Sequence, residues 1–279
     1  SDADEIAEQP VDQRVGMLDA EHIEFAHAFA GKIPQQLREA SRHPVGARAI
    51  LLSLFLSERS GTRAMQEEIL AQRDQAASKN IDKCFAWLQK LGPAGRLPLM
   101  TLIAPMLRRL GDHQKPGDPR PKELLDTIRQ LAEADDVVEP FEYALFKIAS
   151  RLVSKKQPRV KWAAVTQIED AIQTLFSGLA AAGGRAGDAK FAFQMGVKRA
   201  GVPHVAFKPE FTIEEFDRAL DQIAEATPPV KRRIVLGATE VVSADRVVTV
   251  EEGELLRAIA NVLQCPLPPF MEAVGGMPS

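Results

Sequence analysis

An all-α array of helices is the fold class this chain predicts, and three observations predict it. Apolar residues recur at helical spacing through nearly every stretch between glycines and prolines. Strand signals are almost absent: there is one tyrosine, valine alternation is brief, and no Asn-Gly or Asp-Gly hairpin turn occurs, so essentially no sheet is expected. Third, a helix-turn-helix is written twice. Ala134-Asp135-Asp136-Val137-Val138-Glu139-Pro140-Phe141-Glu142, followed by Leu145, returns 110 positions later as Ala244-Asp245-Arg246-Val247-Val248-Thr249-Val250-Glu251-Glu252, followed by Leu255. Leu124, Leu125 and Leu131 fall on Ile234, Val235 and Val241, so one apolar helix face enters each turn. The expected architecture is a multi-helix array holding two related helix-turn-helix units.

In order, Ser1–Gln13 is acidic and polar and should be loose. Asp19 can cap a helix through Ala30, with Gly31 closing it, and Pro34–Ala40 begins a short second helix. Pro44 restarts the chain in a segment that is apolar nearly all round, as a central core helix is, until Gly61-Thr62 breaks it. Arg63–Arg73 and Asp82–Leu91 read as amphipathic helices, the second burying Phe85, Trp87 or Leu88. Leu97–Leu110 follows, with a bend expected at Pro105. Residues 111–120 hold four Gly or Pro among ten and make the strongest candidate for a domain boundary.

Pro121–Ala134 and Pro140–Val153 form the first repeat. Trp162–Ala182 reads as a long alanine-rich helix ended by Gly183-Gly184, and Asp188–Ala200 resumes it, with Met195 and the neighbouring phenylalanines expected in the core. Thr212-Ile213-Glu214-Glu215 is a capping-box start for a helix to Ala226. Val230–Val242 and Val250–Leu263 form the second repeat. The expected division is a flexible segment 1–17, an N-terminal helical domain 18–110, a linker 111–120, the first helix-turn-helix 121–160, a C-terminal helical domain 161–270 holding the second, and a tail 271–279.

Composition narrows the function. The chain is 279 residues long, 45% hydrophobic and 26% charged, with formal net charge −3, so nothing electrostatic points to nucleic acid. Cys84 and Cys265 are far apart and outside any C-x-x-C spacing, which suits reducing, cytoplasmic conditions better than a disulfide framework. Apolar runs are too short to span a bilayer. The start at Ser1-Asp2-Ala3, without Met or a signal-peptide pattern, suggests a processed product or a fragment.

No catalytic constellation is present. His22 and His27 are five apart, about 500° of helix rotation, and so do not share a face as H-E-x-x-H ligands do. No Walker loop, dinucleotide fingerprint or G-x-S-x-G occurs. Each repeated turn has a local logic instead. Thr249 with Glu252 is a capping box, and Glu139 with Pro140 and Glu142 starts a helix in the first copy. The alternative is an acidic site for calcium or another divalent cation, formed by Asp135 with Glu142 and by Asp245 with Glu252, although neither copy has the ligand spacing of an EF-hand. Arg151, Lys155, Lys156, Arg159 and Lys161 form a basic stretch, read either as a solvated linker or as a patch for anionic lipid headgroups or nucleic acid.

Two stretches carry a family likeness. His43-Pro44-Val45-Gly46-Ala47-Arg48-Ala49 with Leu51, Leu52 and Leu54, and Ala244-Asp245 through Ala260 with Cys265-Pro266-Leu267-Pro268-Pro269, resemble the region after the catalytic domain in bacterial membrane zinc metallopeptidases of the HtpX-like family. The repeated Asp-x-Val-Val-x-x-x-Glu turn resembles the tellurite-resistance TerB-like domain, whose Asp-Gly is replaced here by Asp135-Asp136 and Asp245-Arg246. The resemblance implies an accessory, non-catalytic region that binds its upstream peptidase domain and protein or peptide partners at the cytoplasmic face of the inner membrane. Zinc would belong to that upstream domain, whose H-E-x-x-H motif is missing from this chain. A free-standing TerB-like module, binding a divalent cation or a partner through its acidic turns, is the alternative.

Overall fold

The computed structural model describes residues 33–112, 120–134, 140–154, 158–182, 188–244 and 248–265. Among them are twelve α-helices and no strand beyond one isolated bridge, so the all-α prediction holds. They fall into two compact units, 33–154 and 158–265. The first unit therefore runs through the 111–120 segment expected to divide the chain, and takes the first repeat with it.

In the first unit, α1 (Gln35–Ala40) leads into α2 (Pro44–Ser53), whose Ala47, Ala49, Ile50, Leu51 and Leu52 are all buried, as a central core helix requires. It packs against α4 (Gln75–Leu91) and α5 (Arg96–Asp112). The helix ends at Ser53, ahead of the expected break at Gly61. Gly61 instead lies in the first turn of α3 (Ser60–Arg73), with nothing within 4 Å of a Cβ placed there. Gly61→Ala should accordingly raise stability by about 0.4–1 kcal/mol, read as a higher urea midpoint, because it removes only unfolded-state freedom.

The start of α4 also differs from expectation. It begins at Gln75 because Asp74 caps it, accepting the Ala77 N–H at 3.0 Å. Of the three alternatives Phe85, Trp87 and Leu88 it is Leu88 that is buried, beside Ile81 and Cys84; Phe85 lies under the Arg63 guanidinium and Trp87 under the Lys90 ammonium. Burial pushes the Cys84 thiol up to about 11, so it stays protonated and behaves as a small apolar group. Helix α5 runs through Pro105 and past Gly111, where a Cβ would sit 2.3 Å from the Val153 carbonyl oxygen. Gly111 is thus a point of close approach to α7 (Pro140–Ser154) and not a helix breaker. Between them α6 (Arg120–Glu133) packs on α3 and α7.

The second unit begins with an extended segment where a helix from Trp162 was expected. Trp162 is not helical: its carbonyl accepts from Thr227 N–H at 2.8 Å and its N–H reaches the Glu225 carbonyl at 3.3 Å, forming the bridge to Ala226. Lys161 N–H also bonds the Glu225 carbonyl at 2.7 Å, so backbone pairing holds the segment extended where local propensity favoured a helix. A 3-10 turn, Val165–Gln167, precedes α8 (Glu169–Ala182). Then come α9 (Ala189–Ala200), α10 (Ile213–Ala224), α11 (Pro228–Val242) and α12 (Val250–Val262). Gly201 ends α9 in the left-handed conformation (φ 84°), with Val202 N–H closing on the Val197 carbonyl at 2.9 Å, as a Schellman ending requires. The core of this unit is Phe176, Phe193, Phe216, Ile234, Leu256 and Ile259, all buried. None of the described helices is long and apolar enough to cross a membrane.

Candidate functional site

The 110-residue repeat is also a repeat of structure. Helices α7 and α12 begin at the corresponding Pro140 and Val250. Leu124, Ile128 and Leu131 are buried on α6, as are Ile234, Ala238 and Val241 on α11. After the turn, Leu145, Ile148 and Ala149 match Leu255, Ala258 and Ile259, again all buried. Leu125 and Val235 differ, since Val235 is fully buried and Leu125 is half-buried.

The acidic residues are placed unevenly. Asp135 and Asp245 lie outside the described residues, as do Lys155 and Lys156. Glu252 forms the capping box read in the sequence: its Oε2 accepts the Thr249 N–H at 2.8 Å and the Thr249 hydroxyl at 2.9 Å, while Glu252 N–H donates to Thr249 Oγ1 at 3.2 Å. That carboxylate is already engaged at the positive end of α12. Glu142 lies in the first turn of α7. The same cap recurs at Thr212 and Glu215, where hydrogen bonds from Thr212 N–H and Lys208 hold the Glu215 carboxyl below its ordinary range. Of the basic stretch, Arg151 lies in the last turn of α7, Arg159 is exposed, and Lys161 is paired with Glu225 at 2.8 Å.

Beside each turn lies a groove between the entry helix and the helix packed on it. The first, about 370 Å³, is bounded by Met65 and Ile69 of α3 and by Gln130, Glu133 and Ala134. The second, about 220 Å³, is bounded by Phe191 and Ala192 of α9, Leu179 of α8, and Val241, Val242 and Ala244. Ala134 and Ala244 are corresponding residues, but the other entry-helix residues of the two grooves do not correspond, being Gln130 and Glu133 in the first and Val241 and Val242 in the second. Their linings differ in residue type: four of the seven residues around the first are polar or charged, against two of the ten around the second. Phe191 is 58% exposed at the rim of the second, and Met195, one helical turn on, is 37% exposed. Both were expected in the core with Phe193, but only Phe193 is buried, against Phe207 at 5.5 Å between ring centroids.

No family model, curated protein or solved structure matches the chain. The groove must therefore be judged on its own chemistry. A shallow apolar floor beside a large exposed aromatic ring suits an extended or amphipathic peptide more than a small polar substrate.

One buried pair escaped sequence reasoning. Glu254 and Arg257, on α12, stand where the first repeat has Ala144 and Lys147. Glu254 is 6% exposed, its Oε1 accepts from Arg257 Nη1, and its Oε2 is buried without a hydrogen-bond partner among the described residues. Desolvation pushes its carboxyl above the ordinary value of 4.5, against the opposing pull of Arg257. The folded state then holds this proton more tightly than the unfolded chain does. Its contribution to stability is greatest at low pH and falls as pH rises from about the ordinary carboxylate value through the raised one. Urea midpoints measured across that window should decline less steeply for Glu254→Gln than for the wild type.

Proposed function

We propose that the chain is a non-catalytic, protein-binding region of a membrane-bound zinc metallopeptidase, acting at the cytoplasmic face of the inner membrane. Its apolar groove beside the second turn would hold an extended or amphipathic segment of a protein partner or substrate. The observation that carries the binding reading is Phe191, a large aromatic side chain left 58% exposed at the rim of an apolar groove. The link to a peptidase rests on the resemblance of residues 43–54 and 244–269 to the region that follows the catalytic domain in the HtpX-like family. In this reading Phe191 anchors the partner, and the capping box at Thr249 and Glu252 fixes the start of the helix that bounds the groove.

The test uses the complete polypeptide encoded around this chain. Its upstream sequence should hold hydrophobic spans of about 20 residues and an H-E-x-x-H helix. Phe191→Asp should leave cleavage of a short peptide unchanged and slow cleavage of a protein substrate by about tenfold, the loss of roughly 1.4 kcal/mol of anchoring. An upstream sequence without the zinc motif overturns the peptidase assignment. Unchanged cleavage of the protein substrate overturns the role of the groove.

A further inference from the structure

A different surface, in the 33–154 unit, carries chemistry that the proposed function leaves unused. Helices α2, α3, α5 and α6 enclose a cleft of about 460 Å³, within the roughly 300–1,000 Å³ usual for small-ligand sites. Five arginines line it: Arg42, Arg48, Arg73, Arg109 and Arg120. Only two carboxylates do so, Asp74 and Glu123.

Asp74 is already committed. It caps α4 and accepts Arg48 Nε at 2.6 Å and an Arg48 Nη2 hydrogen at 3.3 Å. The pairing steers the Arg48 guanidinium, half-buried in the wall, and leaves it further donors. Arg42, Arg73 and Arg109 are exposed and pair with no carboxylate among the described residues. Helix dipoles account for two of these, because Arg73 and Arg109 stand in the last turns of α3 and α5, where a cation is favoured. Arg42 stands between two helix ends, one residue past Ser41, the C-cap of α1, and immediately before His43, the N-cap of α2, so the first dipole favours its charge and the second opposes it.

We propose that this cleft binds a phosphate ester or diphosphate ester. A single carboxylate accepts one guanidinium fork, whereas Arg42, Arg73 and Arg109, lining one cleft with no carboxylate partner among the described residues, match the charge and multiple acceptor oxygens of a phosphate group. Leu52, Met106 and Leu110 supply apolar wall for the body of the ester. The ester is either a soluble metabolite or a lipid headgroup, and both present the same group to the arginines.

Isothermal titration of the full chain with inorganic pyrophosphate at low salt tests the site. Saturable binding of one pyrophosphate per chain is expected, weakening as salt rises. The double variant Arg42→Gln with Arg109→Gln should bind at least tenfold more weakly, with the same helical circular dichroism as the wild type, since both side chains are exposed. The corresponding double lysine variant keeps the charge and should retain most of the affinity. Sedimentation with phosphatidylcholine vesicles containing phosphatidic acid then separates the sources. Co-sedimentation reversed by pyrophosphate assigns the site to a headgroup, and pyrophosphate binding without co-sedimentation assigns it to a soluble ester; either upholds the cleft. Absence of saturable pyrophosphate binding, or equal affinity in the double glutamine variant, overturns the proposal.

Discussion

Gly237→Val should destabilise the 158–265 unit by about 3 kcal/mol or more, at the upper end of what overpacking costs. Helices α9 and α11 cross here with their backbones nearly touching. A Cβ on Gly237 would lie 2.6 Å from Phe176 Cζ and 2.9 Å from the Gly196 carbonyl oxygen. From the other side, a Cβ on Gly196 would lie 2.3 Å from Val241 Cγ2 and 3.0 Å from the Gly237 carbonyl oxygen. Phe176 is fully buried in a close-packed interior, and a carbonyl in a helix cannot move without its neighbours. The crossing must therefore open, separating Val241 from the core behind it. For a unit of this size the loss corresponds to a fall in thermal midpoint of roughly 12 °C or more. A calorimetric midpoint within about 2 °C of the wild type would show that the crossing tolerates a side chain. The first repeat has Thr127 at the corresponding position, with its hydroxyl bonded to the Glu123 carbonyl at 2.8 Å, so only the second repeat is built on this contact.

That contrast shows what the sequence discloses and what it conceals. Apolar spacing located the core faces of α6 and α11, because burial of one helix face is a local, periodic property. Caps were equally legible at Thr212 and Thr249, since both partners of a capping box lie within four residues. Long-range contacts were not. Gly61 and Gly111 look alike as breakers, yet one faces open space and the other the Val153 carbonyl, and nothing nearby in the chain distinguishes them. Local propensity places Trp162 in a helix because its pairing partners, Glu225 and Thr227, lie more than sixty residues away. The acidic turns were visible as a repeat, whereas the grooves beside them were not. Phe191 and Phe193 are two apart in a phenylalanine-rich helix, and only the packing of α8 and α11 decides which faces inward. The arginine cleft was hidden for the same reason, its five cations being spread over residues 42–120.

Gln66→Leu is the comparable test in the 33–154 unit, and it too should cost about 3 kcal/mol or more. In sequence Gln66 is an ordinary polar residue on an amphipathic helix, but it is only 1% exposed and its amide is fully used. Its Nε2 donates both hydrogens, to the Phe55 carbonyl at 3.0 Å and to the Leu131 carbonyl at 2.8 Å, while Oε1 accepts the Ser57 N–H at 2.8 Å. Phe55 and Ser57 belong to the non-helical connection between α2 and α3. Leu131 is in the last turn of α6, where carbonyls lack a partner within their own helix. One side chain thus satisfies a connection and a helix end that would otherwise be left with unpaired backbone groups. Leucine fills much of the volume and satisfies none of them, and each buried group left unpaired costs about 1–3 kcal/mol. Gln66→Glu should be no better, because a carboxylate would face the two carbonyl oxygens that the amide now serves. Hydrogen exchange separates this mechanism from a simple packing loss. In Gln66→Leu the Ser57 amide should lose protection by a larger factor than amides in the middle of α2, since it has lost its acceptor directly. Equal loss at both places, or an unchanged urea midpoint, would mean that the backbone groups have found other partners and that Gln66 does not hold the connection.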